Sequence, residues 1–244
     1  MKKTPSKKHY GNVSLSRALS KLGFCSRSQA VKLIEGEKIF VNGSIVNDPM
    51  KWVDLLKDKI AVEGKRVPKK QFIYIVMNKP KGVVTTRADE RSRQTVYDLL
   101  AGMSEWIFPV GRLDKDSSGL LFLTNDNQFG ERLTNPSSKI PKTYRAKLDK
   151  ELLKKHQHII QQGMIMDDEQ LLPAKVKILP GTNDENWIEL TIVEGKNRQV
   201  RRMCKELGYE VSELTRIAIG KYSMGNMAPA EWKYLKYEDI KSLF

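Results

Sequence analysis

Apolar residues recur at helical spacing near the start of the chain. Leu15, Ala18, Leu19 and Leu22 share one side, with Arg17 and Lys21 on the other. Gly23 ends that helix. Ser26 and Gln29 stand at the spacing of a capping box and predict a second helix over residues 27–35. The period then shortens: Ile39-Phe40-Val41 and Ile45-Val46 flank Asn42-Gly43, the signature of a hairpin. Farther on, the unbroken apolar run Phe72–Met77 predicts a buried strand, and further strands are expected at Leu120–Thr124, Ala174–Leu179 and Trp187–Val193. Helical patterns lie around 149–161 and 197–207. With no regular βαβ alternation and no internal repeat, the pattern predicts an α+β chain: a small helix-hairpin domain, then a mixed, largely antiparallel sheet. The polar stretch EGKRVPKKQ at 63–71 reads as a linker and the basic residues 1–12 as a flexible arm, which puts the two domains at 13–62 and 72–244.

Charge sharpens this division. The 244 residues carry a formal net charge of +14, and most of the excess precedes residue 73. Such charge favours polyanions through counterion release, so nucleic acid is the expected partner, and Arg17, Lys21, Arg27, Lys32 and Lys38 are the candidate contacts in the first domain. No apolar run approaches the ~18 residues of a membrane span, and the basic N-terminus lacks the apolar core of a secretory signal. The two cysteines, Cys25 and Cys204, form neither a disulfide framework nor a zinc signature, so a reducing cytoplasm is expected; the chain is expected to act as a monomer.

Familiar catalytic signatures are missing: no phosphate-binding glycine loop and no H-E-x-x-H. His156 and His158 form an H-x-H pair without an acidic or cysteine partner nearby. Chemistry then falls to carboxylates, Tyr, Lys or Arg. The segment GRLDKDSSGLLFLTND, at 111–126, is polar and loop-like between Gly111 and Gly119 and feeds an apolar strand. It carries two acids, Asp114 and Asp116, and their spacing alone does not choose between them. Arg198, Arg201, Arg202 and Lys205 recur at the spacing of a basic helix face.

These motifs resemble known families. SRALSKLGFCSRSQAVKLIEGEKIFVNGSIV, followed by DKIAVEGKRV, resembles the RNA-binding module named after ribosomal small-subunit protein four. GRLDKDSSGLLFLTND resembles the active-site motif of pseudouridine synthases of the RsuA/RluB/RluE/RluF family, and is closest in appearance to the RluF branch. MNKPKGVVTT (77–86), KTYRAKL (142–148) and EGKNRQVRRMCKELGYEVSELTRIAIG (194–220) follow in that family's order. The resemblance implies a uridine-to-pseudouridine isomerase acting on structured RNA, most naturally large-subunit ribosomal RNA, with no cofactor and no metal. It makes Asp114 the catalytic carboxylate, Tyr144 the residue that meets the flipped base, Arg201 the basic partner of the carboxylate, and Arg112 an aid to base extrusion or loop structure. Lys79, Arg198 and Arg202 join the RNA contacts. Two other readings stay open at this point: a tRNA-directed synthase, and a catalytically silent RNA-binding factor in ribosome assembly.

Overall fold

The computed structural model describes residues 12–55, 57–67, 72–166, 168–180 and 186–244. The expected basic arm lies outside them except for Asn12, which opens a strand. The chain divides into two compact units, one running up to Phe72 and taking in Glu105–Ile107, the other formed by Ile73–Ser104 and Phe108–Phe244.

In the N-terminal unit, β1 (Asn12–Ser14) runs into α1 (Leu15–Lys21), followed by α2 (Arg27–Glu35), β2 (Ile39–Val41), β3 (Ser44–Ile45), β4 (Trp52–Asp54), β5 (Ile60–Val62) and β6 (Lys65–Arg66). The capping box at Ser26 and Gln29 forms as its spacing predicts: the Gln29 amide donates to Ser26 Oγ at 3.2 Å, and the Ser26 amide to Gln29 Oε1 at 3.0 Å. A cap of this kind is worth about 1 kcal/mol. Asn42 and Gly43, both at positive φ, turn β2 into β3. Leu15, Ala18, Leu19, Ala30 and Ile34 bury the helix pair against Ile39, Val41 and Ile60.

One domain boundary needs correction. Residues 63–67 belong to this unit and not to a linker: Glu63-Gly64 turns the chain so that Lys65 and Arg66 pair with Val62 and Ala61, and Val67 closes the core. The first part of the polar sequence that suggested a linker is a hairpin tip and its edge strand; residues 68–71 lie outside the described residues.

The second unit contains β7 (Tyr74–Lys79), β8 (Phe108–Pro109), β9 (Ser118–Thr124), α3 (Asn127–Thr134), β10 (Lys142–Leu148), α4 (Lys154–Gln162), β11 (Ile165–Met166), β12 (Glu169–Gln170), β13 (Lys175–Ile178), β14 (Asn186–Ile192), α5 (Gln199–Glu206), β15 (Val211–Ile219), β16 (Tyr222–Ser223), β17 (Trp232–Tyr234) and α6 (Tyr237–Ser242). A mixed sheet runs in the order β13-β14-β10-β15-β9-β7-β17, with β16 on β15 and β8 on β9. Its neighbours are antiparallel except at β15 and β9, which run parallel at Thr215↔Ser118 and Arg216↔Gly119. Gly119 has φ +105 and lies so close to the Arg216 backbone that a Cβ would collide with it, so the parallel seam requires glycine there.

Two apolar clusters hold the sheet. One packs α4 and α5 through Ile160, Val200, Met203 and Cys204 onto Ala146, Ile188 and Leu190. The other packs Phe129 and Leu133 of α3 onto Val76, Leu120 and Phe122. The long strand β15 was not predicted, because Arg216 interrupts its apolar alternation and yet is only 5% exposed.

Candidate active site

Asp114 sits in the loop that enters β9, and this loop is held by its backbone. Every carbonyl from Leu113 to Ser117 accepts a hydrogen bond. Thr85 Oγ1 donates to Leu113 O at 2.9 Å, and the Ser117 amide to Asp114 O at 3.1 Å. The Gly82 amide donates to Lys115 O at 2.8 Å, and Arg201 Nη2 to Asp116 O at 3.0 Å. Lys79 Nζ donates to Ser117 O at 2.7 Å. Thr85 works twice, since its hydroxyl also accepts from the Leu113 amide at 3.3 Å. A loop satisfied in this way has few alternative conformations of comparable energy.

The carboxylate itself opens onto a cleft of about 340 Å3 lined by Arg112, Asp114, Lys142, Tyr144, Arg198 and Arg216, among others. The floor is the face of the central sheet, where Ile192, Leu214 and Ile219 are buried. Tyr144 and Lys142 lie two apart on β10 and so share that face. Tyr144 is half-buried against the first apolar cluster and stands opposite Arg216 on β15.

The cation that meets Asp114 is Arg198, whose Nη1 lies 3.4 Å from Asp114 Oδ2. The sequence reading divided these roles differently. Arg198 was expected on an RNA-binding face, and Arg201 was expected to partner the carboxylate. Arg198 precedes α5 with φ 48, in the left-handed region, so its side chain leaves the helix's periodic face. Arg201, inside the helix, turns instead to the carbonyls of Val211 and Asp116. Burial, and then the neighbouring Arg198, hold the Arg201 guanidinium below its ordinary pKa.

The turn before α5 has its own anchor. The carboxylate of Glu194, 6% exposed, accepts from Gln199 Nε2 at 2.6 Å and from the Leu172 amide at 3.0 Å. Gln199 Oε1 in turn accepts from the Lys196 amide at 3.1 Å. Glu194 was not singled out from sequence, where a lone acid in a polar turn looks like any other.

Lys79 also needs correction. It was expected to contact RNA, but it is 0% exposed, and its ammonium is spent on the carbonyls of Pro80 and Ser117. Burial pushes its pKa down to about 8 against the opposing pull of Asp114 and Asp116. Lys142 and Arg216, likewise buried, were not expected at all as members of the site. Among the remaining candidates, Arg202 approaches Glu169 at 3.8 Å. His156 accepts a structural role through its Nδ1 contact with Tyr209 Oη at 2.8 Å. In the N-terminal unit, Arg17, Arg27, Lys32 and Lys38 are exposed and Lys21 is half-buried; Lys38 pairs with Glu63 at 2.8 Å.

Among the described residues no helix is long and apolar enough to cross a membrane, and both cysteines are free and buried.

The family model described as RNA pseudouridylate synthase matches residues 73–206, and the S4 domain model matches 14–53. The chain is 35% identical to "Ribosomal large subunit pseudouridine synthase B" of Bacillus subtilis, covering 94% of each. It is 34% identical to "Uncharacterized RNA pseudouridine synthase" of Aquifex aeolicus, covering 95% of this chain and 94% of the other. A crystal structure of a pseudouridylate synthase superposes with a TM-score of 0.68 at 30% identity, covering 95% of this chain and all of that one.

Proposed function

The chain belongs to the RNA pseudouridylate synthase family, and from that premise we propose that it converts a uridine of large-subunit ribosomal RNA, with Asp114 as the carboxylate that acts on the ribose. The reaction detaches uracil from the anomeric carbon, turns it, and rejoins it through a ring carbon. It is redox neutral and internal to one nucleotide, so the catalytic work is positioning and charge stabilisation.

The observation that carries the assignment is the carboxylate of Asp114 opening onto a cleft shared with Tyr144, on a loop whose backbone is tied at every carbonyl. Asp116 stands apart from that cleft and its side chain is exposed. Arg198 supplies a cation to the carboxylate and, lying half exposed, is free to move when RNA enters. Tyr144 presents an aromatic face for the flipped base. Arg112, exposed at the rim, is positioned to fill the space the base vacates.

The ribosomal target is supported by the name of the Bacillus relative and by the basic N-terminal unit. That relative bears the name of synthase B and not of the RluF branch to which the motifs looked closest. Two free, buried cysteines suit a reducing cytoplasm.

The test is isomerisation of ribosomal RNA from a strain lacking the gene, read as tritium release from uridine labelled at the exchanged ring carbon. D114N is expected to lose turnover by about 10⁴-fold while keeping RNA affinity and its melting transition. D116N should retain most activity. Normal turnover by D114N overturns the assignment, and conversion of tRNA alone overturns the target.

A further inference from the structure

The cleft contains more positive charge than the carboxylate uses. Lys142 is 8% exposed and Arg216 5% exposed, and both line the cleft around Tyr144. Arg216 spends Nε on the Leu120 carbonyl at 2.8 Å, while its Nη2 is buried without a partner. Among the described residues, Lys142 Nζ has no hydrogen-bond or ion-pair partner, and its pKa shift shows no carboxylate among its causes. Burial, and then the charge of Arg216, push its ammonium down to about 8. Two cations placed side by side over an apolar sheet face, with hydrogen-bonding capacity left open, are costly in the resting protein. That cost is offset only when an anion or strong acceptor arrives between them.

We propose that Lys142, assisted by Arg216, binds the detached uracil as its anion and stabilises it while it turns. The inference rests on the assignment of this cleft as the reaction site. When the glycosidic bond breaks, its electron pair leaves with the uracil. Negative charge then spreads over the former glycosidic nitrogen and the two ring carbonyl oxygens. This holds whether the carboxylate attacks the anomeric carbon or removes a ribose proton. The bond from ring carbon to anomeric carbon then forms from that same electron pair, as the ester to the carboxylate breaks or the abstracted ribose proton returns to the sugar; the proton on the ring carbon is finally lost as the ring nitrogen is reprotonated, so atoms and charge balance without a co-reactant.

The geometry suits this task. Tyr144 lies two residues along β10 from Lys142 and opposite Arg216, so one aromatic face and two cations converge on the same volume. The register shift between Thr143 and Tyr144 sets Lys142 opposite Ile219 and Tyr144 opposite Arg216. Asp114, the carboxylate assigned to the ribose, and Arg198 already occupy one another at 3.4 Å. Lys196 is paired with Glu169 and Glu194 and Arg112 is exposed at the rim, so the buried cations left for the base are Lys142 and Arg216.

The experiment uses the full chain and a ribosomal RNA fragment it converts, with K142M, K142R and D114N assayed beside the wild type in single turnovers. K142M is expected to lower the chemical rate by about 100-fold, comparable to loss of one donor to a developing oxyanion, with little change in RNA affinity. K142R should recover much of that rate, because it restores the charge. The decisive arm replaces the target by fluorouridine bearing fluorine on the ring carbon that forms the new bond. Fluorine withdraws electrons and stabilises the uracil anion by itself, so the K142M defect in glycosidic scission should shrink. An equal K142M defect on both substrates would mean a structural role and overturn the proposal. So would a K142M rate within about threefold of wild type, or a loss confined to RNA affinity. An active D114N would instead overturn the assignment of the cleft, whatever K142M does.

Discussion

The basic residues of the two units have opposite fates. In the N-terminal unit, Arg17, Arg27 and Lys32 stand on the helix pair with their charges in solvent. In the second unit Lys79, Lys142, Arg201 and Arg216 are turned inward, where they tie carbonyls or line the cleft. The first set costs nothing to hold and acts at long range through counterions. The second set carries a desolvation cost and acts only over the length of a hydrogen bond. Net charge therefore locates the RNA-facing unit, but does not find the cations that build the reaction site.

Four measurements would break or sharpen this contrast. The largest effect is expected at Lys79. Replacing it by Met strands the carbonyls of Pro80 and Ser117, at a cost of about 1–3 kcal/mol for each buried unsatisfied group, and loosens the loop bearing Asp114. Chemical denaturation should show the loss, and turnover should fall with it. The same variant tests the charge. The Lys79 pKa falls from 10.5 to about 8 on folding, so between those values the unfolded chain binds more protons. Wild-type stability should thus rise with pH through that window relative to K79M, by at most ~1.4 kcal/mol per pH unit. A K79M variant as stable and active as wild type would place Lys79 with the surface lysines.

Arg201→Met comes next. It frees the Val211 and Asp116 carbonyls but leaves the Arg198–Asp114 pair in place. Turnover should drop by about 10–100-fold with RNA affinity unchanged, as expected for a positioning residue. An equal or larger loss in R198M alone, with R201M near normal, would show that the carbonyl tie is dispensable. Tyr144→Phe keeps the ring and removes the hydroxyl, so turnover should suffer more than affinity; an unchanged rate reduces Tyr144 to a stacking surface.

The smallest effect on folding and chemistry is expected from R17A, R27A and K32A combined. Stability should move by no more than about 0.5 kcal/mol, since these are exposed positions. RNA affinity should weaken, and each lost phosphate contact should flatten the slope of log affinity against log salt by about 0.7–0.9. An unchanged slope would remove the helix pair from the interface.

What was legible from sequence follows the same division. The capping box at Ser26 and Gln29 and the Asn42-Gly43 turn are local, and both form from residues adjacent in the chain. Strands β7, β9, β13 and β14 follow their apolar runs to within two residues. The Asp114 loop was readable because turn-forming residues flank a single apolar strand. Two of the failures involve a polar residue buried by contacts distant in sequence. Lys79 meets Ser117 from 38 residues away, and Arg216 meets Leu120 from 96. Nothing local distinguishes such a lysine from a solvated one. Arg198 meets Asp114 from just before α5, at a positive φ, a change of direction that helical periodicity does not foresee.

The loop around Asp114 is gripped by its carbonyl oxygens, and a carbonyl is the same for every amino acid. Lys115 and Asp116 are fastened through their main chain while their side chains point into solvent. Mutation at these positions can therefore alter shape, charge and RNA preference without displacing the carboxylate between Leu113 and Lys115. The fold separates what must be inherited unchanged from what is free to drift, and the two lie side by side in the same loop.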